Sequence, residues 1–301
     1  MYHKMLVPLD GSRLSEIVFP YAKDLAGRLG LDIILLHVHS SKESETIPLY
    51  QAYIEHKAQL IKRQLRDWQK RIGVRLEGRK LEVRGELAMG YPPEEIICYA
   101  EQNNVDLILM ATHGRSGVRR WVMGSVADKV LSVSSIPVWL IRAGTAESVT
   151  YDRWPQRTLL VPLDGSVLAE KVLPHVEVLA KQPGAPPVDV VLFRVAEPPT
   201  TSGHYFRNIP ESREEIEQYL AKIESRLKNS NLRVQSKVSS GDPAEKIISY
   251  GRKNPFSIIV MSTHGHSGMS RWFYGSVATK VLEHASTPIF LVRPRENNPV
   301  P

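Results

Sequence analysis

The feature that most restricts what this chain can fold into is an internal duplication on the scale of a domain. Val7-Pro8-Leu9-Asp10-Gly11-Ser12 returns 154 residues later as Val161-Pro162-Leu163-Asp164-Gly165-Ser166. Gly90-Tyr91-Pro92-Pro93-Glu94 returns after 151 residues as Gly241-Asp242-Pro243-Ala244-Glu245, and Pro137 to Arg142 as Pro288 to Arg293. A fourth landmark is longer: Thr112-His113-Gly114-Arg115-Ser116-Gly117 and the following Gly124-Ser125-Val126 reappear as Thr263-His264-Gly265-His266-Ser267-Gly268 and Gly275-Ser276-Val277. The landmarks keep their order, so the repeating unit is a domain and not a solenoid element.

Each copy alternates between two patterns. Met5 to Asp10 is a short apolar run ending in the turn signal Asp-Gly-Ser. Ile17, Tyr21, Leu25 and Leu29 follow at four-residue spacing, closed by Gly30, which predicts one helix. Ile33 to Val38 is a continuous apolar run of the kind buried on both faces. Ile54, Ala58, Ile61, Leu65, Trp68 and Ile72 form the stripe of a long helix. A strand at Leu81 to Val83, a helix from Pro92 to Gln102, a strand at Leu107 to Met110, a Gly-rich loop, a helix from Ser125 and a strand at Val138 to Ile141 complete the copy. The second copy repeats this with strands at Thr158 to Asp164, Val188 to Val195, Ser257 to Ser262 and Ile289 to Val292, and a helix bearing Ile216, Leu220, Ile223 and Leu227. Strands joined by helical crossovers give a parallel sheet covered on both faces. The expected fold is α/β: two tandem doubly wound domains of five strands, over residues 1–143 and 157–294, with a linker at 144–156 and a loose tail at 295–301.

Composition excludes several classes. With 301 residues, 42% hydrophobic and 24% charged, the chain has ordinary globular content. No apolar run approaches the roughly 20 residues that span a bilayer, and Met-Tyr-His-Lys-Met leads straight into a strand, so no membrane partner and a cytoplasmic location are expected. Cys98 is the sole cysteine and can form no internal disulfide. Beside Ile96 and Ile97 it reads as an inert, partly buried thiol. The net charge of +7 suits acidic ligands. The densest basic stretch, with Lys62, Arg63, Arg66, Lys70, Arg71, Arg75 and Arg79, shares a helix with the apolar stripe and reads as a solvated face; a nucleic-acid partner is not expected.

In an open α/β sheet, ligands sit beyond the carboxyl ends of the strands where the connections diverge. Asp10 and Asp164 end first strands, and the Gly-rich loops leave fourth strands. Gly114, Gly117, Gly265 and Gly268 let a backbone approach a ligand closely. Gly124-Ser125 and Gly275-Ser276 open helices whose free N–H groups and positive dipole end favour an anion, and the serines can cap the helix or donate to a phosphate oxygen. The same residues also fit plain turns and caps.

These landmarks resemble the universal stress protein family in its tandem form, nearly from end to end. The resemblance implies a Rossmann-like, adenine nucleotide alpha hydrolase-like fold and an adenine nucleotide, usually ATP, held by the pattern Gly-x2-Gly-x9-Gly-Ser/Thr. Its last elements fall on Gly114, Gly124 and Ser125, and on Gly265, Gly275 and Ser276; Ala111 and Ser262 stand where the first glycine belongs. It further implies that Asp10 and Asp164 contact the ribose or a phosphate-bound Mg²⁺ and that the backbone of Val38 and Val195 reads the adenine edge. Pro8, Pro162, Val126 and Val277 belong to the same motifs. His113 and His264 stand alone, with no second ligand at metal-binding spacing, and suit a hydrogen bond to phosphate or loop. Trp121 and Trp272 read as packing anchors.

The resemblance also implies intramolecular pairing of the two domains through their last strands, and it leaves room for a homodimer of the tandem chain. No nucleophile and base stand out, and the chain lacks a Gly-x4-Gly-Lys-Ser/Thr loop, a His-x-Gly-His segment and a Ser-Gly-Gly-x-Asp-Ser loop. The expectation is a nucleotide-responsive stress protein; a slow ATP-hydrolysing enzyme and a scaffold with decayed sites are the alternatives.

Overall fold

The computed structural model describes residues 2–72, 80–112, 123–142, 157–181, 188–196, 212–264 and 274–294. In the first half the strands are β1 (Lys4–Leu9), β2 (Asp32–His39), β3 (Val83–Met89), β4 (Leu107–Ala111) and β5 (Val138–Ile141), and the helices are α1 (Arg13–Glu16), α2 (Phe19–Leu29), α3 (Ile47–Ile72), α4 (Pro92–Gln102) and α5 (Ser125–Val133). The second half has β6 (Thr158–Pro162), β7 (Asp189–Ala196), β8 (Val234–Ser240), β9 (Ser257–Ser262) and β10 (Ile289–Val292), with α6 (Val167–Glu170), α7 (Leu173–Ala180), α8 (Arg213–Asn229), α9 (Pro243–Lys253) and α10 (Ser276–His284). The expected linker at 144–156 and tail at 295–301 lie outside the described residues.

Within each half all strand pairs are parallel, in the orders β3-β2-β1-β4-β5 and β8-β7-β6-β9-β10. The order reverses direction between β1 and β4, and again between β6 and β9, so each half is doubly wound. β5 and β10 run antiparallel, with Trp139 level with Phe290, and join the halves into one ten-stranded sheet. Successive residues of a strand face opposite sides. Met5, Val7 and Leu9 therefore join the apolar layer under α2, α3, α7 and α8, and Leu6 joins the layer under α4, α5, α9 and α10. Both layers contain residues of both halves. The α3 stripe from Ile54 to Trp68 is buried, while Arg63, Arg66 and Lys70 face outward.

Three expectations are corrected. The single helix expected over Ile17 to Leu29 is two, because Pro20 has no N–H to offer the carbonyl four residues back; Pro174 divides α6 from α7 at the matching place. The third strand begins where it was expected to end, at Val83. As an edge strand its residues are half-buried, so Arg84, Gly85 and Glu86 interrupt any apolar run. Cys98 is exposed, not partly buried: Ile96 takes the buried face of α4, and the thiol lies two residues round the helix. The basic helix closes at Ile72, and Arg75 and Arg79 lie outside the described residues.

Candidate functional site

The carboxyl end of the first strand is shaped by Pro8 and by the Asp10-Gly11-Ser12 turn that follows it. Pro8 sits in a central strand, an unusual place for a residue without an N–H. The His3 carbonyl accepts from Asp32 on the β2 side and the Lys4 carbonyl accepts from Asp106 on the β4 side. Alternation then aims position 8 at β4. The β1–β2 register continues to Leu9 opposite His37, whereas the β1–β4 register stops at Leu6 opposite Ile108. Pro8 thus falls where β1 releases β4 at the switch point. Pro162 does the same in the second half: β6 follows β9 only to Leu160 opposite Ile259.

Beyond the prolines, Asp10 accepts the Ser12 N–H on Oδ1 at 2.9 Å, and Gly11 takes a φ of 82°. Only glycine adopts that conformation readily. Ser12 then caps α1 by accepting the Ser15 N–H at 3.2 Å. The second half repeats this with Gly165 at φ 86°, but the Ser166 hydroxyl also donates to Asp164 Oδ1 at 2.6 Å. The turn-forming role of the aspartates is therefore real. A carboxylate oxygen that accepts one N–H keeps capacity for a further partner.

Extending the β1–β2 register by one residue places Val38 beside Asp10, and extending β6–β7 by two places Val195 beside Asp164; Thr112 and Thr263 follow β4 and β9 on the far side of the opened gap. Paired strands lie about 4.8 Å apart, so Val38 with Asp10, and Val195 with Asp164, line one lip of the crevice, and Thr112 or Thr263 the other. Val38 and Val126 pack on the same apolar layer, as do Val195 and Val277. Ala111 and Ser262 close β4 and β9 and are buried.

The neck of each Gly-rich loop is pinned in the same way. Gly124 donates its N–H to the Thr112 carbonyl at 2.8 Å, and Gly275 donates to Thr263 at 2.9 Å. Gly124 and Gly275 are the N-caps of α5 and α10, with φ near −60° and no side-chain cap. Ser125 and Ser276 are thus the first helical residues and exposed; they do not cap the helices they open. The first-turn N–H groups of both helices point back toward the loop. His113, Gly114, Gly117, Gly265, Gly268, Trp121 and Trp272 lie outside the described residues. His264 is half-buried, with Nδ1 2.9 Å from Thr263 Oγ1, which suits the loop-tethering role.

Two features escaped the sequence reading. His37 Nδ1 lies 2.9 Å from the Leu9 carbonyl, and Arg194 Nη1 donates to the equivalent Leu163 carbonyl at 3.3 Å. One position, with two unlike side chains, braces the residue before each aspartate, and nothing in a periodicity would reveal it. The Thr112 and Thr263 carbonyls were visible only as members of the repeated Thr-His-Gly. Among the described residues no group of three or more His, Cys, Asp or Glu could hold a metal ion, and no helix is long and apolar enough to cross a membrane.

The sequence model described as "Universal stress protein family" matches residues 1–142 and 156–293. Universal stress protein MJ0577 of Methanocaldococcus jannaschii is 28% identical over 155 residues, covering 47% of this chain and 96% of its own length. Universal stress protein Rv2005c of Mycobacterium tuberculosis is 22% identical over 298 residues, 97% of each chain. A crystal structure of a universal stress protein from Archaeoglobus fulgidus aligns with a TM-score of 0.67 at 23% identity, over 96% of this chain and 98% of that one.

Proposed function

Because the chain belongs to the universal stress protein family, we propose that it binds an adenine nucleotide, with ATP as the main ligand, at the switch point of each half. The protein then acts in the cytoplasm as a nucleotide-responsive regulator of the stress response. The observation that carries this reading is the convergence at each crevice of an opened strand pair, an aspartate and an uncapped helix N-terminus. In this reading the first-turn N–H groups of α5 and α10, with the Ser125 and Ser276 hydroxyls, hold the phosphates. The backbone of Val38 or Val195 reads the adenine, and Asp10 or Asp164 holds the ribose. Gly114 and Gly117, with Gly265 and Gly268, let the backbone approach the phosphates closely, and His113 and His264 hydrogen-bond to phosphate or to the loop. Ala111 and Ser262, in place of glycine, put a side chain at the crevice floor and weaken the hold.

Magnesium fits this donor set. It is held on nucleotides by one or two carboxylates with the phosphates and water, and each crevice offers one aspartate. When bound it would neutralise phosphate charge. The units in this reading are residues 1–143 and 157–294, joined by 144–156 and followed by the tail at 295–301. The β5–β10 ladder supports their standing as a pair within one chain.

The test is the nucleotide released per purified chain, followed by titration with ATP and magnesium. Two equivalents are expected. One equivalent would assign binding to a single half, and none at millimolar ATP overturns the proposal. Replacing Gly114 or Gly265 by Val removes one equivalent each if the loops carry the phosphates.

A further inference from the structure

Beside the β5–β10 ladder, two matching arginines and a tyrosine without a matching counterpart reach from one half to the other. Arg142 follows β5 and donates through Nη2 to the carbonyls of Leu282 at 2.9 Å and Glu283 at 2.6 Å, near the C-terminal end of α10. Arg293, its counterpart after β10, donates through Nη1 to the Ser132 carbonyl near the end of α5. Each cation meets the negative end of the other half's helix.

At the opposite helix ends the symmetry fails. Tyr274 directly precedes Gly275, the N-cap of α10, and its hydroxyl donates to the Asp128 carbonyl at 2.8 Å, with Asp128 Oδ1 at 3.4 Å. Asp128 is the residue whose N–H closes the first turn of α5 on the Gly124 carbonyl at 3.0 Å. Met123 stands before Gly124 in the first half and has no hydroxyl to offer. Burial first, and then the Asp128 carboxylate, hold the Tyr274 phenol well above its ordinary range, so it remains a donor at every physiological pH.

We propose that Tyr274 is a positioning residue for the anion-binding turn of the first half, so that affinity at α5 depends on the second half, while among the described residues α10 receives no matching bond from Met123. The inference rests on the nucleotide reading above. It concerns one hydrogen bond across 146 residues of sequence, made from the residue before the N-cap of α10 to the first turn of α5.

Tyr274→Phe keeps the ring and removes the bond. In an Asp164→Ala background, which reports the first site, Tyr274→Phe should weaken ATP binding about fivefold, the effect of one net hydrogen bond. In an Asp10→Ala background, which reports the second site, it should change affinity less than about twofold. No change at the first site, or equal weakening at both, overturns the proposal. A second measurement needs no nucleotide. Amide exchange at Asp128 and Lys129 should quicken in Tyr274→Phe while Thr279 and Lys280 stay protected; unchanged exchange at Asp128 also overturns it. If exchange responds but neither background binds ATP, the nucleotide reading fails and the positioning role stands.

Discussion

Equivalent positions of the two halves do unlike chemistry where the halves meet. Tyr21 on α2 and His175 on α7 stand 154 residues apart, at the same place in their repeats, and each is met by the chain leading into the other half's first strand. Tyr21 lies under the guanidinium of Arg157, 5.2 Å from its ring centre, beside a buried pair in which Arg28 donates to Asp24 at 2.9 Å. His175 instead shares a hydrogen bond between its Nδ1 and the Tyr2 hydroxyl and stacks with the Tyr2 ring. Arg157 is 1% exposed, whereas its counterpart His3 is exposed. Two identical subunits must present the same patch to each other. Two halves of one chain need not, and here one contact is ionic and the other aromatic.

The largest test of that difference is Arg157→Ala. Burial raises the Asp24 carboxyl and the two arginines hold it down, so removing one leaves a buried carboxylate short of charge. The expected loss in urea unfolding is about 3–5 kcal/mol, against about 1 kcal/mol for Tyr2→Phe. Equal losses would mean that the two contacts are energetically alike.

A second contrast lies in how the long helices sit. A Cβ on Gly85 would come within 2.8 Å of the Ile54 carbonyl oxygen, so α3 rests directly on β3 at this residue. The matching residue on β8 is Ser236, which already carries a Cβ. Gly85→Ala should cost about 1–3 kcal/mol by overpacking, and Ser236→Ala under about 1 kcal/mol. Chemical unfolding of the two variants, side by side, decides whether the helices pack differently.

Acid should loosen the aromatic contact. Burial, helped by the N-terminal charge, pushes His175 down to about 4, so the fold holds fewer protons than the unfolded chain between that value and the ordinary 6.5. Its contribution is present above pH 6.5 and is lost as the pH falls toward 4. Allowing for its partial exposure, the loss at pH 5 is about 1 kcal/mol. Melting temperatures from pH 7 to 5 should fall less steeply in His175→Phe; parallel slopes would remove His175 from the account.

The smallest effect separates the two caps. Ser12→Ala should cost about 1 kcal/mol, and Ser166→Ala a few tenths more, because the Ser166 hydroxyl also serves Asp164. Identical unfolding midpoints would mean that this extra bond contributes nothing.

Much of the fold was legible because buried parallel strands are written as unbroken apolar runs. Val138–Ile141, Ser257–Ser262 and Ile289–Val292 fall where those runs predict. Edge strands carry no such run, since one side meets water, and β3 was misplaced for that reason. The proline break between α1 and α2 was hidden by a four-residue spacing that continues through Ile17 and Tyr21. At the site, the repeated Asp-Gly-Ser and Gly-Ser pairs were readable. The bracing His37 and Arg194 were not, because unlike residues in one role leave no repeat to find.

The sequence alone determined the repeat, the buried runs and the polar landmarks at strand ends, because each of these is a local pattern with a local physical cause. The tertiary structure alone decided that Pro8 faces β4, that β5 meets β10 and that Tyr274 reaches Asp128. Those neighbours depend on strand order and on packing across about 100 to 150 residues, and no spacing along the chain encodes them.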